Sequence, residues 1–198
     1  MSKRKTCIHC ERPLKTCLCD VMTCLDCHYQ VIILQDPKEA KHALSSAPIL
    51  AKSITGAQLI IGEVFNPVEL LGDNWQENSL LVFPNEQSLT SEAAIQKEFK
   101  FLILLDGTWR KVARLMHLNP WLAELPSFAI NTSKSSEYKI RKSPRDDGLS
   151  TIEAAAFALN ELHPDKEFNS ILSAFDKMIA LQIEAMGNDV FQANYPNQ

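Results

Sequence analysis

The sequence predicts an α/β protein, a sheet covered on both faces by helices, and two observations carry that prediction. Five short apolar runs, QVIILQ (30–35), QLIIG (58–62), SLLVF (79–83), FLILL (101–105) and SFAI (127–130), have strand length and the near-continuous apolar character of strands buried on both faces. Segments with helical spacing, 43–55, 91–99 and 109–118, fall between them, so strand and helix alternate along the chain. With 198 residues, 45% of them hydrophobic and 22% charged, the chain has the length and make-up of one large globular domain with a small appendage.

The appendage comes first. All six cysteines lie between positions 7 and 27, as C-x2-C-x6-C-x-C followed by C-x2-C-H. Cytosolic thiols are kept reduced, so this crowding points to a metal site before it points to disulfides. Zinc takes four thiolates or imidazoles in a tetrahedron, and Cys7, Cys10, Cys17 and Cys19 form the economical set. Cys24, Cys27 and His28 either offer alternative ligands or lead into the first strand, and unligated or redox-active thiols are the competing reading. Four thiolates leave no open coordination position, so the metal would fold residues 1–28 rather than perform chemistry.

The first run, 30–35, is too short for a helix and is closed by Asp36-Pro37. The fourth, 101–105, ends abruptly in Asp106-Gly107-Thr108-Trp109 before a basic helical pattern carrying Arg110, Lys111 and Arg114. Ligands of open α/β sheets gather where strands end and helices begin, and a glycine there permits close approach. A capping Asp106 or Thr108, a turn glycine and a core tryptophan would explain the same segment without function. A second loop, 138–159, holds the capping box Ser150-x-x-Glu153 at the start of an alanine-rich helix, with Lys139, Arg141, Lys142 and Arg145 just upstream of an anion-attracting helix N-terminus. VFPNE (82–86) is a third strand end, closed by Pro84. Finally, Phe168, Ile171, Leu172, Phe175, Met178, Ile179, Ile183 and Met186 recur every three or four residues, which predicts a long amphipathic helix used for core or oligomer contact.

A net charge of -4 argues against a surface that coats nucleic acid throughout, but basic residues gather at 1–20 and 134–145. No apolar run reaches the roughly 18 residues of a membrane span. The basic start lacks the apolar middle of a secretory signal, so a cytoplasmic protein without a membrane partner is expected. A Gly-rich phosphate loop, a G-x-S-x-G elbow and an H-E-x-x-H pair are all missing, which removes the usual support for nucleotide hydrolases and peptidases.

Taken together, C-x2-C-x2-P-x3-C-x-C, DGTW after a strand, Tyr138-x-Ile140-Arg141-Lys142 and Leu149-Ser150-Thr151-x-Glu153-Ala154 resemble the DTW-domain proteins, the tRNA-uridine aminocarboxypropyltransferases, in order from Cys7 to about Leu162. The resemblance implies that 29–198 form a SPOUT-like, mostly parallel sheet with a trefoil knot, behind the zinc segment at 1–28. It also implies S-adenosylmethionine as the donor of a 3-amino-3-carboxypropyl group to N3 of a tRNA uridine, with methylthioadenosine released. The chain departs from the family pattern at Gln35-Asp36-Pro37-Lys38-Glu39, where relatives generally show a His before the Pro. It departs again at Ser45-Ser46-Ala47 and in carrying Cys24-x2-Cys27-His28.

For that reaction Asp106 is the candidate base for the uridine N3 proton, its alternative being to hold the ribose or amino group of the donor. Pro84, Thr108, Trp109, Ser150 and Thr151 are the candidate cofactor residues, and Arg110, Arg141, Lys142 and Arg145 the candidate tRNA-phosphate contacts. A SPOUT-type RNA methyltransferase and a non-catalytic zinc-bearing RNA-binding module are the alternatives, and both monomer and homodimer remain open.

Overall fold

β-Branched and leucine side chains build the centre of the sheet. β1 (Gln30–Gln35) and β4 (Phe101–Asp106) pair in parallel from Gln30 opposite Phe101 to Gln35 opposite Asp106. β2 (Gln58–Ile61) extends the sheet beyond β1, while β3 (Ser79–Val82) and then β5 (Ser127–Phe128) extend it beyond β4, in the all-parallel order β2-β1-β4-β3-β5. The computed structural model describes residues 5–131 and 149–186.

Side chains alternate across a strand, so the apolar runs feed two cores. Val31, Ile33, Leu80, Leu102 and Leu104 face α1 (Ala47–Ser53), α4 (Ser91–Gln96), α6 (Thr151–Leu162) and α7 (Leu172–Met186) through residues such as Leu50, Ala94, Ala155, Leu159 and Met178. Ile32, Leu34, Leu81, Phe101 and Ile103 face α2 (Pro67–Leu71), α5 (Trp109–Leu118) and a 3-10 turn at Pro120–Glu124 through Leu71, Leu115, Trp121 and Leu122. Leu102 is fully buried in the first core. Leu102→Ala is therefore expected to lower the unfolding free energy by about 2–5 kcal/mol in urea titrations. A loss below about 1 kcal/mol would contradict this account of the core.

Strand and helix alternate as predicted, with differences at the element ends. The expected helix at 43–55 begins only at Ala47, preceded by a tight turn in which Ser45 N donates to His42 O at 3.1 Å. The run at 127–130 pairs over Ser127–Phe128 alone, where β3 offers it Leu81 and Val82 as partners. β2 lies at the sheet edge and leaves Ile61 55% exposed, so its apolar run is not covered on both sides. Two short helices lay below the resolution of helical periodicity. α2 starts at Pro67 behind an Asn66 side chain that accepts from Val68 N at 3.1 Å, and α3 spans only Trp75–Asn78.

The cysteine-rich segment is pinned to this body. Leu18 inserts into the first core, and Leu25 N donates to Ser53 O at 2.9 Å. Asp20 pairs with Lys177 at 2.6 Å, and Arg12 Nη1 reaches Met178 Sδ at 3.2 Å. Among the described residues no helix is long and apolar enough to cross a membrane. The basic residues Arg141, Lys142 and Arg145 lie outside the described residues.

Candidate functional site

The sheet order selects a place for a ligand before any side chain is considered. β1 leads through α1 on one face toward β2, whereas the neighbouring β4 leads into α5 on the opposite face. Adjacent parallel strands whose following helices part in this way leave a crevice at their carboxyl ends. Gln35 and Asp106 terminate those two strands as register partners.

Register decides what they touch. Asp106 shares the face of Leu102 and Leu104, and Gln35 that of Val31 and Ile33, so both side chains turn toward α1 and α6. Gln35 Nε2 donates to Asp106 Oδ2 at 2.7 Å and to Ser45 Oγ at 2.9 Å, and Thr151 Oγ1 donates to Asp106 Oδ1. Ser46 Oγ accepts from Ile152 N at 3.3 Å, joining the start of α1 to the first turn of α6. Asp106 is only 3% exposed. Burial pushes its carboxyl above the ordinary value against the two hydrogen bonds, from Thr151 and Gln35, that favour the charged form, and the nearby Glu39 adds to the rise. A carboxylate held this way is a base of raised strength at the end of a sheet.

The loop after Asp106 is shaped by packing. Gly107 has φ 156°, and a Cβ there would come within 3.0 Å of Lys111 Cβ, so the first turn of α5 closes against the strand end over a hydrogen atom. Neither Asp106 nor Thr108 caps α5 through its side chain, which corrects that expectation: Thr108 holds the N-cap position without such a bond, and the Asp106 oxygens are turned to Gln35 and Thr151. Trp109, the first residue of α5, is 59% exposed and meets Phe83 edge-on at 6.3 Å between ring centroids. The reading of Trp109 as a core residue is thereby excluded. Pro84, next to Phe83, is exposed on the adjoining strand end. The structure thus brings Asp106 to Thr151, and Trp109 to the end of β3.

Ser150 forms the predicted capping box, its Oγ accepting from Glu153 N at 3.4 Å while Ser150 N donates to Glu153 Oε2 at 2.8 Å. With Ile152 N given to Ser46, two N–H groups of the first turn are already engaged, so this helix start offers an anion less than its sequence suggests. On α5, Lys111 is paired with Glu39 at 2.7 Å and Arg114 forks onto Glu63 at 2.7 and 2.9 Å. That fork holds the Glu63 carboxyl below its ordinary value. Arg110 remains exposed with no ion pair among the described residues.

The four cysteines of the economical set do converge. A hairpin closed by Cys7 N to Arg12 O at 2.8 Å carries the first pair, and a 3-10 turn at Leu14–Thr16 delivers the second. The sulfurs lie within 4.8 Å of one another, with Cys7 to Cys19 at 3.5 Å and Cys10 to Cys17 at 3.6 Å. Four sulfurs around a tetrahedral cation bonded at about 2.3 Å stand about 3.8 Å apart, so the set fits a metal with little movement. Backbone N–H groups of Cys10 and His9 pull the Cys7 thiol down to about 6, while the hydrogen bonds to Cys7 and Cys17 push Cys19 up to about 12. Four thiolates cannot crowd together without a cation, and a bound cation removes that conflict.

Among the described residues no other group of His, Cys, Asp and Glu converges in this manner. Cys24 lies against Thr55. Cys27 Sγ meets His163 Nε2 at 3.4 Å and His28 Nδ1 meets His163 Nδ1 at 3.1 Å, so the two contacts engage opposite nitrogens of one imidazole rather than a common point. Burial drives His163 down to about 4, which keeps it neutral.

The order of these features along the chain is a family's. The model of the DTW domain matches residues 4–183, which takes in the cysteine cluster, the Asp106 loop and the α6 start. The chain belongs to the DTW domain family. It is 28% identical over 180 residues to the tRNA-uridine aminocarboxypropyltransferase 2 of Macaca fascicularis, covering 86% of this chain and 60% of the relative. It is 30% identical over 170 residues to the protein of the same name in Mus musculus, covering 81% and 57%, and 25% identical over 215 residues to the tRNA-uridine aminocarboxypropyltransferase A of Arabidopsis thaliana, covering 91% and 81%. The chain thus spans about six-tenths of the length of these mammalian relatives. No solved structure matches it.

Within the DTW domain, Gln35, Ser45 and Ser46 are the residues of this site that motif reading missed. Two of the three departures noted in the sequence, at 35–39 and at 45–47, fall on the network around Asp106, although neither by itself points to Asp106 as the partner. Asp36 follows Gln35 directly in the chain. It is buried, caps its own turn by accepting from Lys38 N at 2.8 Å and lies 3.8 Å from Arg114.

Proposed function

We propose that this DTW domain transfers the 3-amino-3-carboxypropyl group of S-adenosylmethionine to N3 of a uridine in tRNA, releasing methylthioadenosine. The observation that carries the reading is Asp106: the aspartate of the DTW-type motif is a buried carboxylate of raised basicity at the crevice of a parallel sheet. Relatives named for this transfer to tRNA uridine support the substrate class. The SPOUT-like, knotted form of the sheet and the division into a zinc-binding segment at 1–28 and a catalytic domain at 29–198 belong to the same reading.

An exposed indole at the start of α5 suits a donor that is both cationic and aromatic. Pro84, Thr108, Trp109, Ser150 and Thr151 would line its pocket. S-adenosylmethionine supplies an electrophilic γ-carbon adjacent to a sulfonium leaving group. Neutral uridine N3 is a poor nucleophile, so Asp106 accepts the N3 proton as the bond forms, and its raised pKa brings it closer to the basicity that step needs. Thr151 and Gln35 keep the carboxylate oxygens in place, and positioning of the γ-carbon rather than the methyl selects the product. Arg110, with Arg141, Lys142 and Arg145, would hold tRNA phosphates, and Cys7, Cys10, Cys17 and Cys19 would bind a structural zinc.

The test is transfer of label to unmodified tRNA. Carboxyl-labelled S-adenosylmethionine is expected to label the tRNA and methyl-labelled donor is not. The reverse pattern indicates an RNA methyltransferase, and tRNA binding without transfer from either donor indicates a non-catalytic module.

A further inference from the structure

We infer that Gln35 is a positioning residue, the side chain that fixes the orientation and proton affinity of the Asp106 carboxylate. The inference rests on the proposed transfer, but its observations are those of the fold. Gln35 is fully buried at the end of β1, directly across the parallel ladder from Asp106. Its amide nitrogen spans Asp106 Oδ2 at 2.7 Å and Ser45 Oγ at 2.9 Å, so both N–H donors are engaged.

The amide oxygen tells the rest. Gln35 Oε1 is buried without a hydrogen-bond partner. An unmet buried acceptor is unfavourable, and a leucine or methionine would fill the same space at the end of a buried strand without that cost. Turning the amide over would aim the oxygen at the carboxylate and set two acceptors against each other. The orientation adopted therefore serves Asp106 at the expense of Gln35 itself. Ser45, in the turn before α1, anchors the amide from behind and makes this turn part of the same device.

Removing the donor has a defined sign. A hydrogen bond given to a carboxylate favours its charged form, so loss of the Gln35 bond moves the proton affinity of Asp106 upward. The charged groups near the carboxylate are Glu39, which acts in the same direction, and Lys111, which opposes it. Asp36 faces Arg114 at 3.8 Å, and Glu153 on α6 is engaged in its own capping box. None of these is altered by replacing Gln35.

The test compares the full chain with Gln35→Met and Ser45→Ala, using unmodified tRNA and carboxyl-labelled S-adenosylmethionine across pH. The expected result is a tenfold or greater fall in kcat at neutral pH for Gln35→Met. The acidic limb of its kcat profile moves up by about one pH unit, with donor KM little changed. Ser45→Ala is expected to move the limb in the same direction by less, and it serves alone if Gln35→Met does not fold. A lower kcat with an unmoved acidic limb in both variants would reduce Gln35 to packing, and an unchanged kcat would remove any role. Absence of transfer by the unaltered chain, by contrast, defeats the proposed function and not this inference.

Discussion

Asp106→Asn is expected to lower kcat by roughly 10²- to 10⁴-fold while changing the affinity for S-adenosylmethionine only a few-fold, because a positioned general base contributes on that scale. Asparagine keeps the shape of the side chain and can still accept from Thr151, so what is lost is the capacity to take the N3 proton. Its amide nitrogen would meet Gln35 Nε2, and a turn of the Gln35 amide would then present the oxygen that is unpartnered in the parent. The variant should therefore fold. Its stability relative to the parent has a sign as well. Burial raises the Asp106 pKa, so the folded state favours the protonated form, and the parent loses stability as pH rises from the ordinary carboxyl value through the raised one. The neutral variant escapes that loss and should match or exceed the parent in thermal melting at neutral pH. Calorimetric donor binding beside steady-state kinetics separates the two roles open to this residue. A large rise in donor Kd with kcat preserved would make Asp106 a donor-binding group and not the base.

How much of this site could be read in advance depends on the kind of interaction involved. The runs at 30–35 and 101–105 announced strands through continuous apolar character, and Asp106 announced itself by breaking one of them. The Ser150 capping box was legible because both of its partners lie within one turn. Gln35 was not, since a polar residue at a strand end gives no local sign of its partner. Its role follows from a register that pairs it with a residue 71 positions away. Trp109 was ambiguous for the complementary reason: one aromatic at a helix start satisfies either a core or a surface, and only the direction of the first turn of α5 exposes it. The short helices α2 and α3 escaped because five and four residues cannot show a helical period. The basic residues of α5 illustrate a further limit. The sequence shows Arg110, Lys111 and Arg114 as one basic helical pattern, whereas folding brings Glu39 and Glu63 to pair with the last two and leaves Arg110 to face solvent.

Removal of metal from the cysteine cluster is the other change expected to act strongly, and it acts on stability before chemistry. Cys17 and Cys19 flank Leu18, which is fully buried in the core beneath α7, so the sulfurs that would hold a zinc also hold this side chain in place. Without the cation only weak thiol contacts at 3.5 and 3.6 Å join the four sulfurs, and the segment should open more readily. Withdrawal of Leu18 forfeits about 1.5–3 kcal/mol of burial. Loosening of the contacts made by Leu25 and Arg12 adds to that loss. For a chain of this length each kcal/mol moves the melting midpoint by about 2–4 °C, so chelation or Cys17→Ser should lower it by roughly 10 °C. Proteolysis should then cut first within the cysteine-rich segment. One zinc per chain is expected by metal analysis, and Cys24→Ser and Cys27→Ser should leave that ratio unchanged, since neither sulfur joins the cluster. Acid should release the metal as the thiolates take up protons. A protein isolated without metal that melts at the same temperature before and after zinc addition would separate the cluster from stability altogether.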